Sequence, residues 1–391
     1  MKIVYVNWKC FGAQDIVTAL FRLGHEVNIV ELSDMAQVEI DDEFVDELCN
    51  KIRLHNTELV ISFNYYPSIS LACMKMGCRY FAWIYDSPYV KAYDATITNN
   101  ANYIGSFDSF MVDELNAKGV TTMHYVPLAV DVERVKNVIG KFNMMGKSEK
   151  YRGEISFVGS LYNDRNMFYE RLFDKGRDME LIGYLDAVID AQRRVYGCNF
   201  MEECIEGEVL DKIRKFMPYK LSDGSYITEQ RVYADYYLGP RIAFLDRKEL
   251  LEKLALYFEV DYYSGTPYKL SGAYNRGSVD YNQEMPVVFN KTKINLNISL
   301  RSIRTGIPLR AMDIMGAGGF LLTNYQEDMF RHFEPGVQFE YYTSTDEAVD
   351  KAGYYIEHEE ARSRIARAAR DEIEKNHTFD IRLRQVLSDC M

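Results

Sequence analysis

The sequence predicts an α/β protein made of two halves, each a parallel sheet covered by helices on both faces. Three observations carry this. Short apolar strand segments alternate with helical segments from residue 2 to residue 126. The alternation gives way to a long helical section and then resumes through residue 387. Between the last strands, the stretch 302–324 reads as a glycine-containing loop, a helix, a glycine break and an apolar strand. Strands of this kind joined by helices need right-handed crossovers and bind ligands beyond their carboxyl ends.

In the first half, strands are expected at 2–6, 26–30, 59–63, 79–84 and 122–126. Helices are expected at 15–23, 42–55 and 68–76, and a short one to residue 118 after 109–112. Gly24, Gly77 and Gly119 each stand just behind a helix, where a left-handed residue ends it. Three loops fall at the carboxyl rim: 7–14, 64–67 and 85–88. In the first of them, Gly12 and Asp15 either approach a substrate or make a turn and a helix cap. Asp86 follows an apolar strand and precedes Ser87-Pro88. It is either a general base or hydroxyl-holding carboxylate, or the start of an Asx-turn.

Residues 127–131 read as a crossover, and 135–152 as polar, basic surface structure. Strand 154–158 runs into Gly159-Ser160 and then a helix with an early Asp164, a place where backbone N–H groups can face an anion. Helical periodicity dominates 166–175, 185–194, 202–216, 227–237 and 247–258, which reads as helical packing. Strands follow at 260–263 and 294–297, the latter ending on Asn297, with a loop at 268–284 between them. In the stretch after Asn297, Pro308 opens the helix, since a helix start needs no N–H there. That leaves N–H groups and a positive dipole end beside Gly306 for a phosphate. Arg304 and Arg310 flank the same point, and Asp313 lies one helical turn beyond Arg310, where a carboxylate can hold ribose hydroxyls. Helix 326–333, strand 338–342 and helices 345–357, 359–375 and 378–387 complete the chain.

The 391 residues, 47% hydrophobic and 27% charged, imply a globular protein of two to three domains. No apolar run approaches a membrane span, and the first residues enter a strand directly, so a cytoplasmic location is expected. Seven scattered cysteines without a Cys-x-x-Cys pair imply reduced thiols, and the six histidines do not join them at metal-ligand spacing. A formal charge of −12 argues against nucleic acid as the main partner. The 30 tyrosines and 21 phenylalanines are a heavy aromatic load, mostly core, with some free to stack on sugars or bases.

Several motifs resemble the CgeB-like glycosyltransferases, and so the GT-B fold. They are Lys293-Ile294-Asn295-Leu296-Asn297, Gly306 to Ile314, Gly318 to Asn324, Phe333-Glu334-Pro335-Gly336 and His377-Thr378-Phe379. Phe157-Val158-Gly159-Ser160 and Trp83 to Pro88 extend the likeness. The resemblance implies two Rossmann-like domains facing each other across a cleft. They span 1–130 for the acceptor and 131–376 for the donor, with a helical insertion at about 166–258, while 377–391 returns to the first domain. Family-four GT-B enzymes, which retain configuration, carry two glutamates separated by seven residues here. Asp313 stands at the second, which holds the donor ribose, and Thr305 at the first, which contacts the donor sugar. Thr305 therefore departs from that pattern.

The resemblance implies transfer of a hexosyl or N-acetylhexosaminyl group from a UDP- or GDP-sugar to a protein or glycan acceptor, without metal or permanent cofactor. The leaving diphosphate would rest on Arg310, Arg304 and N–H groups near Gly306, Gly159 and Ser160, with Asp86 first and Asp15 second as acceptor base. A monomer or homodimer is expected. Two other readings stand beside this one: a nucleotide-sugar epimerase or hydrolase of the same fold, and a non-catalytic nucleotide-sugar-binding partner.

Overall fold

The computed structural model describes residues 1–163, 169 and 178–390. The chain forms two six-stranded sheets, all parallel. The first sheet contains β1 (Lys2–Asn7), β2 (Glu26–Glu31), β3 (Leu59–Phe63), β4 (Arg79–Ile84), β5 (Asn102–Ser106) and β6 (Met123–Tyr125). Its order is β2-β1-β3-β4-β5-β6. Alternate side chains serve opposite faces, as the pleat demands. Val4, Val6, Val60, Tyr80 and Ala82 face helices Asp42–His55 and Pro67–Met76. Ile3, Tyr5, Ile61, Phe63, Phe81 and Trp83 face helix Ala13–Arg22 and the C-terminal helix Phe379–Cys390. The chain end thus returns to the first domain: Phe379 packs edge-on to Phe63 and Trp83, at centroid distances of 6.5 and 5.7 Å.

The second sheet contains β7 (Gly153–Val158), β8 (Val260–Tyr263), β9 (Tyr274–Asn275), β10 (Thr292–Asn297), β11 (Leu321–Asn324) and β12 (Glu340–Tyr342). Its order, β12-β11-β10-β7-β8-β9, reverses direction between β7 and β10, which makes their carboxyl ends the ligand crevice of a sheet of this topology. Between β7 and β8 a helical insertion forms its own core around Leu181, Ile189, Met201, Ile213, Tyr233 and Ile242. Two crossing segments join the domains side by side: Val130 N–H donates to His377 O at 3.0 Å, and Arg22 ties Asp131 at 3.0 Å to Asp380 at 2.6 Å.

Several elements differ from expectation. β5 was not anticipated, because Asn102 and Gly105 dilute its apolar signal. The first helix starts at Ala13 on a Gly12 cap with φ of 82°, so Asp15 caps nothing. The stretch expected as surface structure from residue 135 lies largely in helix Val132–Met144, capped by Asp131. The expected helices at 227–237 and 247–258 are one run: Glu229–Val232, a π-helical turn Tyr233–Leu238, and Gly239–Leu254. The loop 268–284 contributes β9. The expected helix 166–175, apart from Tyr169, and Asp164 lie outside the described residues. Among the described residues no helix is long and apolar enough to cross a membrane.

Candidate active site

The stretch after β10 is held from beneath by Asn297, whose amide donates to Thr323 Oγ1 at 2.9 Å and Ser299 Oγ at 3.0 Å. Asn297 is buried, so it shapes the turn. Pro308 is the cap of helix Leu309–Gly316, one position earlier than expected. Two N–H groups of the turn before it are already engaged. Arg304 N–H and Thr305 N–H donate to the Asp108 carboxylate at 2.8 and 3.2 Å, and the Thr305 hydroxyl donates to it at 2.7 Å. An anion does bind here, but it is a side chain of the first domain. Burial raises the Asp108 pKa, against the hydrogen bonds from Thr305 and Arg304. Thr305 Oγ1 also lies 2.9 Å from Ser109 Oγ and accepts from Phe110 N–H at 3.0 Å. Gly306 presses on the same loop: a Cβ there would stand 2.8 Å from Asp108 Cα and Phe107 O, so only glycine allows the approach.

Arg304 turns away from Arg310, contrary to the expectation that both flank one point. Its guanidinium donates to Asn199 O at 2.5 Å, stands 3.8 Å from Asp235 and covers the Phe110 ring. Gly159 is likewise engaged, its N–H donating to Tyr263 O at 3.1 Å, and Ser160 Oγ accepts from Tyr162 N–H at 3.0 Å.

A different set of groups converges at the crevice. Asp313 is 5% exposed; its Oδ1 accepts from the Tyr281 hydroxyl at 3.2 Å, while its buried Oδ2 has no hydrogen-bond partner among the described residues. Burial pushes its pKa up to about 6, against the pull of Arg310 and Arg134. Arg310 lies over the Phe289 ring at 5.7 Å, and its hydrogen-bond partner among the described residues is Met285 Sδ. Arg247 is the residue sequence reasoning missed. It sits inside a helix read as packing, yet its guanidinium donates to Ser160 O beyond β7 and to Ile298 O beyond β10, the latter at 2.7 Å. It lies between the rings of Phe157 and Tyr162, at 5.1 and 4.8 Å, and its buried Nε has no partner among the described residues. Burial lowers its pKa and the Arg310 charge lowers it further. Two guanidiniums that repel each other, with no ion pair to a carboxylate among the described residues, make a site for an anion.

The first domain faces this set with the loop after β1. Phe11 packs against Tyr281 at 4.9 Å, and Gly12 backs onto Phe63. Asp15 is buried in a two-point ion pair with Arg134, at 2.6 and 2.8 Å, and Arg134 also covers Tyr281 at 5.4 Å. The pair links the two domains, and burial raises the Asp15 pKa against the pull of Arg134. Asp86, beyond β4, is exposed; its Oδ2 accepts from Asn64 Nδ2 at 2.7 Å, and Trp8, Tyr66 and Tyr85 surround the rim beside it. Ser87 Oγ reaches Ser302 Oγ across the domains at 3.3 Å. Among the described residues, no three His, Cys, Asp or Glu side chains gather in a way that would hold a metal ion.

Residues 247–388 match the model of a family described as glycosyl transferase-like. That span begins on Arg247 and includes Arg310 and Asp313. No curated protein matches the sequence. Among solved structures, sucrose-phosphate synthase from Thermosynechococcus elongatus superposes with a TM-score of 0.58 at 7% identity, over 100% of this chain and 98% of that one. Anabaena Alr3699/HepE in complex with UDP-glucose gives 0.53 at 11% identity, over 100% of both chains. A glycosyltransferase from Rickettsia africae ESF-5 gives 0.53 at 8% identity, over 100% and 97%. At these identities the likeness establishes the fold: the chain has the GT-B arrangement of two Rossmann-like domains.

Proposed function

We propose that this protein transfers a glycosyl group from a nucleoside-diphosphate sugar, with UDP as the nucleotide, to a protein or glycan acceptor. The observation that carries this is the Arg247–Arg310 pair beside the partnerless Asp313 Oδ2 at the carboxyl ends of β7 and β10. Two cations suit a diphosphate, and a buried carboxylate oxygen suits ribose hydroxyls. The glycosyl transferase-like match over the same residues supports the reading, and the UDP-glucose bound to the Anabaena protein supports the choice of base.

In the transfer, the bond from the anomeric carbon to the diphosphate oxygen breaks and its electron pair leaves on the diphosphate. Arg310 and Arg247 stabilise that growing charge more than the ground state, which is what accelerates the step. The acceptor oxygen bonds to the anomeric carbon and gives up its proton to Asp86, oriented by Asn64. Charge neutralisation by two guanidiniums supports a reaction that needs no metal.

A panel of UDP- and GDP-sugars, with UDP or GDP release followed in the presence and absence of chelator and of glycan and peptide acceptors, tests this. Acceptor-dependent release from a UDP-sugar, unchanged by chelator, is expected. Release without any acceptor product would favour the hydrolase or epimerase, and binding without turnover would refute transfer altogether.

A further inference from the structure

A cavity of about 860 Å³ lies away from the donor crevice. It lies between the first domain and the helical insertion, and it is built from both. Tyr89 comes from the loop after β4; Tyr219, Tyr236 and Tyr237 come from the insertion. Its walls are fixed to each other. Val90 N–H donates to the Tyr236 hydroxyl at 2.7 Å, Tyr226 N–H donates to Tyr93 O at 2.8 Å, and Arg231 pairs with Glu114 across the same seam. The cavity is therefore preformed, within the size range of a small-ligand site.

The lining chemistry selects its occupant. Tyrosine faces supply apolar platforms, while three carboxylates, Glu39, Asp94 and Asp223, stand against one ammonium, Lys91. That ammonium is already engaged: it donates to Gln37 O and lies 5.2 Å over the Tyr66 ring, and burial lowers its pKa to about 8. A net negative wall repels phosphate and excludes the nucleotide donor. Asp94 already accepts from Thr96 N–H and Oγ1 at 2.9 and 2.6 Å, whereas Glu39 and Asp223 are exposed and their oxygens can accept from the hydroxyls of a ligand. A neutral polyol with apolar CH faces satisfies both kinds of group, its hydroxyls donating to carboxylates and its ring faces lying on tyrosines. The cavity adjoins the small crevice holding Asp86, since Tyr89 and Tyr236 line both.

We infer that this cavity binds a saccharide segment of the acceptor and leads its reactive hydroxyl to Asp86, which makes the helical insertion the element that selects the acceptor. The inference rests on the glycosyl-transfer reading, and its test is arranged to fail separately. Saturation-transfer NMR on the full chain, without donor, would use p-nitrophenyl glucoside, galactoside, N-acetylglucosaminide and maltoside, with decanoate and a serine-rich hexapeptide alongside. At least one glycoside is expected to show saturation of its sugar protons. Tyr236→Ala should reduce that signal fivefold or more while leaving UDP affinity unchanged. Leu221→Trp, which fills the cavity from the insertion side at a half-buried position, should do the same while leaving the Tyr236 hydrogen bond in place. Saturation of decanoate or the peptide in place of the glycosides would overturn the saccharide assignment. So would a glycoside signal that survives both variants. No UDP binding at all would instead sink the function on which the inference rests.

Discussion

Asp313→Asn is expected to stabilise the free protein while weakening its hold on UDP. Asp313 is buried, and its carboxyl is pushed from 3.8 to about 6. Each pKa unit corresponds to about 1.4 kcal/mol, so the ionised carboxylate destabilises the fold by about 3 kcal/mol at neutral pH. The sign follows from proton counting. Between 3.8 and about 6 the folded state binds more protons than the unfolded chain, so stability falls as pH rises through that window. The penalty is complete above about pH 6 and absent below about 3.8. Asparagine has the same shape and cannot ionise. The variant should therefore melt higher than wild type at pH 7.5, and the gap should close by pH 4. Differential scanning calorimetry at several pH values measures this, with and without UDP. UDP should raise the wild-type melting temperature more than that of the variant, because the carboxylate that destabilises the empty site accepts the ribose hydroxyls. A gap that does not change with pH, or a variant less stable than wild type at pH 7.5, would refute the argument from burial.

Arg247→Ala and Arg310→Ala should each weaken UDP binding by about 1.5–3 kcal/mol, roughly ten- to a hundred-fold in Kd by calorimetric titration, as expected for a hydrogen bond to a charged group. Arg304→Ala, whose side chain serves the insertion, should leave that Kd within about threefold. Asp86→Asn should lower acceptor transfer by about 10²–10⁴-fold with UDP affinity unchanged, as loss of a general base predicts. Asp108→Ala would leave the Arg304 and Thr305 N–H groups without their side-chain acceptor and remove the 2.7 Å bond from the Thr305 hydroxyl, which keeps Asp328 at 3.3 Å. Urea denaturation should show a loss of about 2–4 kcal/mol, and Asp108→Asn should recover most of it.

Much of the fold was legible because hydrophobic periodicity acts over a few residues. Leu59–Phe63 is apolar throughout since both its faces are covered, and it was placed to the residue. β5 escaped because its glycine answers to a distant neighbour: a Cβ at Gly105 would lie 2.8 Å from Val126. In the site, Arg310 and Asp313 were legible as a pair because one helical turn separates them. Arg304 sat in the same stretch but turned towards the insertion, which nothing in its local pattern announced. Arg247 carried no signal, since a charged residue in an amphipathic helix reads as solvated surface.

The sequence alone settled the local features: two runs of strand and helix, the glycine-containing loop before Pro308, and the helix carrying Arg310 and Asp313. It also announced, at Thr305, a departure from the paired-glutamate pattern. Only the tertiary structure decided which charges meet. It put Asp108 against the Gly306 turn, joined Asp15 to Arg134, and lodged Arg247 across the ends of β7 and β10. The reason is physical: periodicity is a property of neighbours along the chain, whereas charge pairing depends on distance through space, and these partners are brought together only when the two sheets have packed.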